Sequence, residues 1–460
     1  MNDADKTLST LDANLQPALD RLFALLRIPS ISTDPAYKKH CAEAAEWLAA
    51  DLKTMGFKAA VKPTAGHPVV LAHRPKKGAP HVLFYGHYDV QPVDPLNLWD
   101  NPPFEPRIVE IEKGRKAIVA RGACDDKGQV MTFVEACRAW IAATGDLPIG
   151  VTMLLEGEEE CGSPSLPDWV KANAKELKAD IGLICDTGMW DAKTPSITSS
   201  LRGMVYEEFT VRAANRDLHS GIYGGAAQNP NHVVAAICGS FHAKNGRVRI
   251  PGFYDGVKSP PAAQLKQWKK LGLTEKSFLG PIGLKTSIGE AKRLLIEQVQ
   301  SRPTCDVNGI WGGYTGAGSK TVIPAEASAK VSFRLVAGQD PEKISKAFRA
   351  YVKARVPRQC AVSFKSFAST PAVNLPYESA ALNAARDALK AEWGKAAVTI
   401  GSGGSIPIVS DFKRLLGIDC VLVGFGLDDD RVHSPNEKYD LACFHKGARS
   451  WARIIGELAR

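Results

Sequence analysis

The chain has 460 residues, too many for one ordinary core, so two domains are the starting expectation. Hydrophobic content of 45% and charged content of 23% are those of a globular protein and exclude a disordered or fibrous chain. The net charge of +9 is scattered, with no run of five basic residues and no nucleic-acid-binding signature, so nucleic acid is not an expected partner.

The N-terminus opens with acidic residues and has no basic segment leading into an apolar one. No apolar stretch reaches about 18 residues, so no membrane span is expected. Ten cysteines run from Cys41 to Cys443 without a CxxC pair, which suggests reduced thiols and a cytoplasmic setting.

Leu11, Leu15, Leu19, Leu22, Leu25 and Leu26 recur at helical spacing up to Pro29. A second helix is predicted near 42–55, with Trp47, Leu48, Leu52 and Met55 on its apolar side and Gly56 as its stop. Strands are predicted at 58–62, 69–72 and 81–85, and a Pro- and Asn-rich loop at 91–106. A strand at 118–121 runs into Gly122-Ala-Cys-Asp-Asp-Lys-Gly128 and a helix near 129–143. A strand at 150–155 ends in Glu156-Gly-Glu-Glu-Glu-Cys-Gly-Ser163, and one at 180–185 ends in Asp186. Strands alternating with helices predict an α/β fold with a mainly parallel sheet sandwiched by helices. Ligands in such sheets sit beyond the carboxyl ends of the strands. His87/Asp89, Asp125/Asp126, Glu158–Glu160 and Asp186 all fall at such ends.

The pattern changes near Arg202. A strand around Val205–Val211 half-alternates, and one at Ala327–Leu335 alternates cleanly, as a one-side-buried antiparallel strand does. Helices are predicted near 231–243, 290–300 and 341–356, a loop-rich stretch at 246–289 and a strand at 361–367. Residues 202–370 are therefore read as an inserted α+β domain, and 1–201 with 371–460 as the discontinuous main domain. The α/β rhythm returns with helices near 378–393, 406–415 and 441–458 and strands at 397–400 and 420–425. His433 lies in the loop before the last helix.

His87 and Asp89 are two apart on an extended segment and point to one side. A neutral imidazole could bind a metal while the carboxylate holds its other nitrogen; a plain His–Asp pair capping a strand end is the simpler alternative. Taken alone, Asp125-Asp126 reads as an Asp-rich turn and Glu158–Glu160 as a solvated acidic turn. Together they would crowd Asp125, Glu159, Glu160 and Asp186 into one cleft, where like charges disfavour ionisation. Divalent cations resolve this, and the N/O donor set suits zinc, manganese or cobalt, with two ions plausible where a carboxylate bridges.

Tyr-Gly-His-Tyr-Asp-Val-Gln-Pro, Arg-Gly-Ala-Cys-Asp-Asp-Lys-Gly, Glu-Gly-Glu-Glu-Glu-Cys-Gly-Ser and the late His-Ser-Pro-Asn-Glu resemble the di-zinc aminoacylase/carboxypeptidase family of metallopeptidases. The nearest branch is similar to the carnosine and cytosolic nonspecific dipeptidases, nearly end to end. The resemblance implies a di-zinc exopeptidase-like catalytic domain with an inserted lid and dimerisation domain, two divalent ions per subunit and a short peptide substrate. It implies that His87 and Asp186 hold one metal, Glu160 and His433 the other, and that Asp125 bridges them, followed by a cis bond to Asp126. Asp89 would orient His87, and Glu159 would be the general base. Glu158 stands where relatives often have an apolar residue. His219, in Asp217-Leu-His-Ser-Gly-Ile-Tyr-Gly-Gly225, would reach the neighbouring subunit's site in a homodimer and stabilise the oxyanion. Arg334, Thr321 and the 401–405 loop with Ser405 would bind the substrate carboxylate.

Two decoys are set aside. Gly316-Ala-Gly-Ser-Lys-Thr321 lacks the order of a phosphate loop, and Ser405 lacks a nucleophile-elbow motif. Competing functions are deacylation of N-acyl amino acids and non-catalytic peptide binding on the same scaffold.

Overall fold

A computed structural model describes residues 2–403 and 406–460. The described chain divides into two compact units. One comprises Met1–Ser199, Leu375–Ile400 and Pro407–Arg460; the other comprises Ser200–Asn374 and Gly401–Ile406.

The first unit is built on a mixed sheet with a parallel centre. Its spatial order is Lys58–Lys62, Val69–Arg74, Gly150–Glu156, His81–His87, Ile181–Ile184, Cys420–Leu422 and Ser196–Leu201. His81–His87 runs parallel to both its neighbours, as Ile181–Ile184 does to Cys420–Leu422. The outer pairings are antiparallel. The central strand is buried from Val82 to His87, so its apolar run serves two covered faces. Phe84 stacks on Phe133 at 3.8 Å, and Trp451 meets both rings edge-on. Phe133 and Trp451 come from helices Lys127–Thr144 and Leu441–Leu458, which lock the strand in place.

The structure differs from the sequence reading in several places. The N-terminal leucines lie on two helices, Asp3–Ala13 and Leu15–Leu26, because Asn14 ends the first. The strand predicted at 118–121 is Arg115–Val119, and it is absent from the main sheet. It lies in a three-stranded antiparallel sheet between Arg107–Glu112 and Lys438–Asp440. Arg107–Glu112 alternates half-buried and exposed residues, as a one-sided ribbon does.

The second unit has a four-stranded antiparallel sheet in the order Thr304–Gly312, Glu326–Leu335, Gly203–Arg212 and Ala361–Thr370. Val205, Phe209, Val211, Val331 and Phe333 face a core shared with helices Pro230–Gly239 and Pro341–Lys353. Thr304–Gly312 is missing from the sequence reading because a bulge between Val307 and Gly309 breaks its alternation and its residues are mostly exposed. The stretch read as loop at 246–289 carries helices Ala262–Lys270 and Glu275–Leu279. The helix expected from 290 begins only at Leu295.

Candidate metal centre

The register of the central strands sets the site. His87 lies opposite Glu156, and Tyr85 opposite Ile184. His87, the Glu159–Cys161 turn and Asp186 therefore leave the sheet at one carboxyl edge. The turn depends on Gly157: a Cβ there would lie 2.2 Å from the Tyr88 hydroxyl, so no other residue fits without displacing that ring. Asp125 arrives differently, between the small antiparallel sheet and helix Lys127–Thr144, and its bond to Asp126 is cis.

Two groups of candidate ligands result, each with its donor atoms within 4.8 Å of one another. One is His87, Asp125 and Asp186; the other is Asp125, Glu160 and His433. Asp125 belongs to both. Its Oδ1 lies 3.0 Å from His87 Nε2 and its Oδ2 2.9 Å from His433 Nε2, so its two oxygens face the two groups. His433 Nε2 is also 3.2 Å from Glu160 Oε2. Each group combines one imidazole with two carboxylates, a donor set that fits a divalent cation of the zinc or manganese type.

The surroundings hold these groups in place. His87 Nδ1 lies 3.1 Å from the Asp89 carbonyl and 3.3 Å from its carboxylate Oδ1, which fixes the ring and leaves Nε2 facing the cluster. The same carboxylate accepts the backbone N–H groups of Glu159 at 3.3 Å and Glu160 at 3.0 Å. Asp89 thus ties the histidine strand to the glutamate turn. Glu158 is neither a ligand nor a solvated acid. It is buried, and its carboxylate accepts the His67 N–H at 2.9 Å and the Ser165 N–H at 3.2 Å, latching the turn from behind.

Without a cation the site is electrostatically frustrated. Burial, with the charge of Asp125, pushes Asp186 up to about 7. Burial also raises Glu159, with Glu160, Asp125 and Asp89 adding to it. Hydrogen bonds donated by its ring to Asp125 and Glu160 raise His433 to about 10. Burial alone would raise Asp125, but its bonds from His433 and His87 hold it well below the usual range. In the metal-free protein the imidazolium groups therefore do the neutralising.

The folded state keeps a proton on Asp186 and on His433 that the unfolded chain releases near 3.8 and 6.5. Stability from Asp186 is complete below about pH 4 and lost as pH rises through about 7. That from His433 is complete below about pH 6.5 and lost through about pH 10. Metal-free protein is expected to become easier to unfold with urea from pH 5 to pH 9, and saturating metal to flatten that slope. A metal-free protein that gains stability over this range would contradict the cluster's charge pattern.

Residues not singled out from the sequence complete the site. Gln91 donates from Nε2 to Glu160 Oε2 at 2.6 Å. Glu437 is fully buried; its carboxylate accepts from Arg121 Nη1 at 2.7 Å and from the N–H groups of Gly122, Cys124 and Asp125 at 3.0 Å each. It clamps the Asp125 loop to the segment carrying His433. The Glu following His-Ser-Pro-Asn was the available signal. Replacing Glu437 with Gln should cost about 3–5 kcal/mol of stability, because it leaves Arg121 buried without its counter-charge. Urea denaturation of the metal-free protein measures this.

His219, Thr321 and Arg334 belong to the second unit. His219 is exposed, and its Nδ1 accepts the Gly221 N–H at 3.0 Å. Thr321 lies beside it: His219 pairs with Val322, and the Ser220 N–H donates to the Thr321 carbonyl at 3.1 Å. Arg334 is half-buried on Glu326–Leu335, on the face away from the core. Ser405 falls outside the described residues.

Among known proteins, the chain is 29% identical to the Cys-Gly metallodipeptidase dug1 of Schizosaccharomyces pombe, over 99% of this chain and 98% of that one. It is similar in structure to human carnosine dipeptidase 1, with a TM-score of 0.78, 25% identity and coverage of 100% and 99%. It also resembles the metallo-carboxypeptidase Sso-CP2 of Sulfolobus solfataricus, with a TM-score of 0.81, 32% identity and coverage of 96% and 99%. Residues 83–457 match the family described as Peptidase family M20/M25/M40, a span that includes both candidate ligand groups. The chain belongs to this peptidase family.

Proposed function

We propose that the protein is a metallodipeptidase that hydrolyses the peptide bond of dipeptides and short peptides. The observation that carries this reading is the pair of ligand groups sharing Asp125, with Glu159 beside them. His87, Asp125 and Asp186 would hold one divalent ion, and Asp125, Glu160 and His433 a second; zinc is the first choice, with manganese and cobalt as alternatives. Such ions supply Lewis acidity that polarises the peptide carbonyl and acidifies water. Glu159 takes the proton from the attacking water and returns it to the leaving amine. Asp89 keeps His87 in the tautomer that ligates.

The inserted unit supplies the groups that hold the substrate. Arg334, Thr321 and Ser405 would bind its carboxylate. His219, with Nδ1 committed to Gly221, has a protonated Nε2 to donate to the tetrahedral oxyanion of the partner subunit's site. A homodimer through this unit is supported by exposed apolar side chains on it: Ile222, Tyr223, Ile310, Trp311 and Tyr314. Thr304–Gly312, which carries Ile310 and Trp311, is an edge strand open to pairing. The ten unpaired thiols fit a cytoplasmic setting.

Complementation tests the shared site. His219→Ala and Glu159→Gln homodimers should each be nearly inactive. Mixed dimers should regain activity, because one of their two sites has an intact Glu159 and an intact partner His219. A fully active monomer, or no recovery on mixing, would sink the shared-site reading. The similarity to a metallo-carboxypeptidase favours a second reading, removal of C-terminal residues from longer peptides. Rates on peptides of increasing length separate the two.

A further inference from the structure

Two arginines of the second unit lie close together, and among the described residues no carboxylate is within ion-pair distance of either. Arg202 immediately precedes strand Gly203–Arg212, two residues before Met204, and Met204 pairs directly with Arg334. Both side chains belong to the face away from the core, since Val205 and Phe333 point inward. Diagonal neighbours on one sheet face are within reach of long side chains. Neither arginine makes an ion pair among the described residues. Arg202 Nε donates to the Gly403 carbonyl at 3.3 Å, while its Nη1 is buried with no hydrogen-bond partner. Burial and then the charge of Arg334 press its pKa down to about 10. Asp306 is the one acid that acts on Arg202, more weakly, and its carboxylate is exposed and taken by the Thr304 hydroxyl at 2.9 Å.

A partly buried guanidinium beside another cation, with an unused donor, is an unfavourable arrangement for folding alone. It becomes favourable when an oxyanion arrives, because a planar fork of N–H donors matches carboxylate geometry. A cavity of about 430 Å³ opens beside Arg202, lined also by Ser200, Lys258, Gln300, Ser301 and Asn374, and no carboxylate among the described residues lines it. The backbone at 401–403 is held against this wall: Gly401 N–H donates to Gln300 Oε1 at 3.1 Å, and a Cβ at Gly401 would meet the Ser200 hydroxyl at 2.7 Å.

We propose that Arg202 is a second carboxylate-binding arginine, acting with Arg334 to hold the free C-terminal carboxylate of the peptide and so to select for an unblocked C-terminus. This rests on the dipeptidase reading, and Arg202 is its new element.

The test uses the metal-loaded, full-length protein and three probes in calorimetry: a reduced-bond dipeptide analogue, its C-terminal amide and inorganic phosphate. Arg202→Met should weaken the free-acid analogue about 10- to 100-fold, the range for a lost charge-assisted bond, and barely change the amide. Arg202→Lys should fall between, since it keeps the charge and loses the fork. The melting temperature without ligand should hold or rise in Arg202→Met. Equal losses for acid and amide, or a lower melting temperature with unchanged selectivity, would make Arg202 structural and overturn the proposal. Phosphate should compete with the free-acid analogue; simultaneous binding of both would place a separate anion site there and overturn it too. Turnover of ordinary dipeptides by the wild-type protein is measured in parallel. Its absence would count against the dipeptidase reading, while the acid-to-amide ratio still decides the role of Arg202.

Discussion

Replacing Glu159 with Gln is expected to lower kcat for dipeptides by about 10²–10⁴-fold, the usual contribution of a positioned general base, while both metal ions still bind. The change is nearly isosteric and leaves both ligand groups intact, since Glu159 is in neither. Its neighbour is the contrast. Glu160 shares the same turn, and its N–H is held by the same Asp89 carboxylate, yet it belongs to the group with His433. Glu160→Gln should therefore lose an ion as well as rate. Steady-state kinetics with metal analysis of both variants separates base from ligand. A Glu159→Gln enzyme with unchanged kcat would show that another group moves the proton.

Asp125→Ala should have the widest effect on metal content. Asp125 is the one residue common to both groups, with one oxygen towards each imidazole. Its loss removes a donor from both sites and the charge that offsets two cations at close range. Both ions should bind weakly or not at all, whereas His433→Ala should spare the site of His87 and Asp186. Titration of metal-free protein, followed by calorimetry, measures the stoichiometry. Two ions retained by Asp125→Ala at wild-type affinity would exclude a bridging role. The stability gained from saturating metal should shrink in parallel, because a ligand at about 1,000 times its dissociation constant adds about 4 kcal/mol.

Much of this centre is local in sequence. His87, the Glu159–Glu160 turn and Asp186 close buried parallel strands of one mixed sheet, and apolar runs ending in acids or histidine mark such strand ends. Asp125 looked like a fourth member of that series. It reaches the cluster from a separate antiparallel sheet whose third strand, Lys438–Asp440, lies more than 300 residues away in the chain. Local periodicity cannot reveal such a pairing. Glu437 was obscure for the same reason: it binds the Cys124 N–H across 313 positions. Glu158 shows the opposite difficulty. Three consecutive glutamates look alike in sequence, and only packing separates the buried latch Glu158 from the proposed base Glu159 and the candidate ligand Glu160. In the inserted unit, the residue types suited to carboxylate binding could be read at Arg334. The second cation beside it could not, because strand pairing creates their closeness.

The most direct test of a dinuclear dipeptidase is to titrate metal-free protein with zinc, and separately with manganese and cobalt, while following both bound metal and hydrolysis of a dipeptide panel. Activity should stay low while the first ion fills and rise as the second binds, reaching its plateau at two ions per chain. A plateau at one ion, or no dipeptide hydrolysis with two ions bound, would contradict this account.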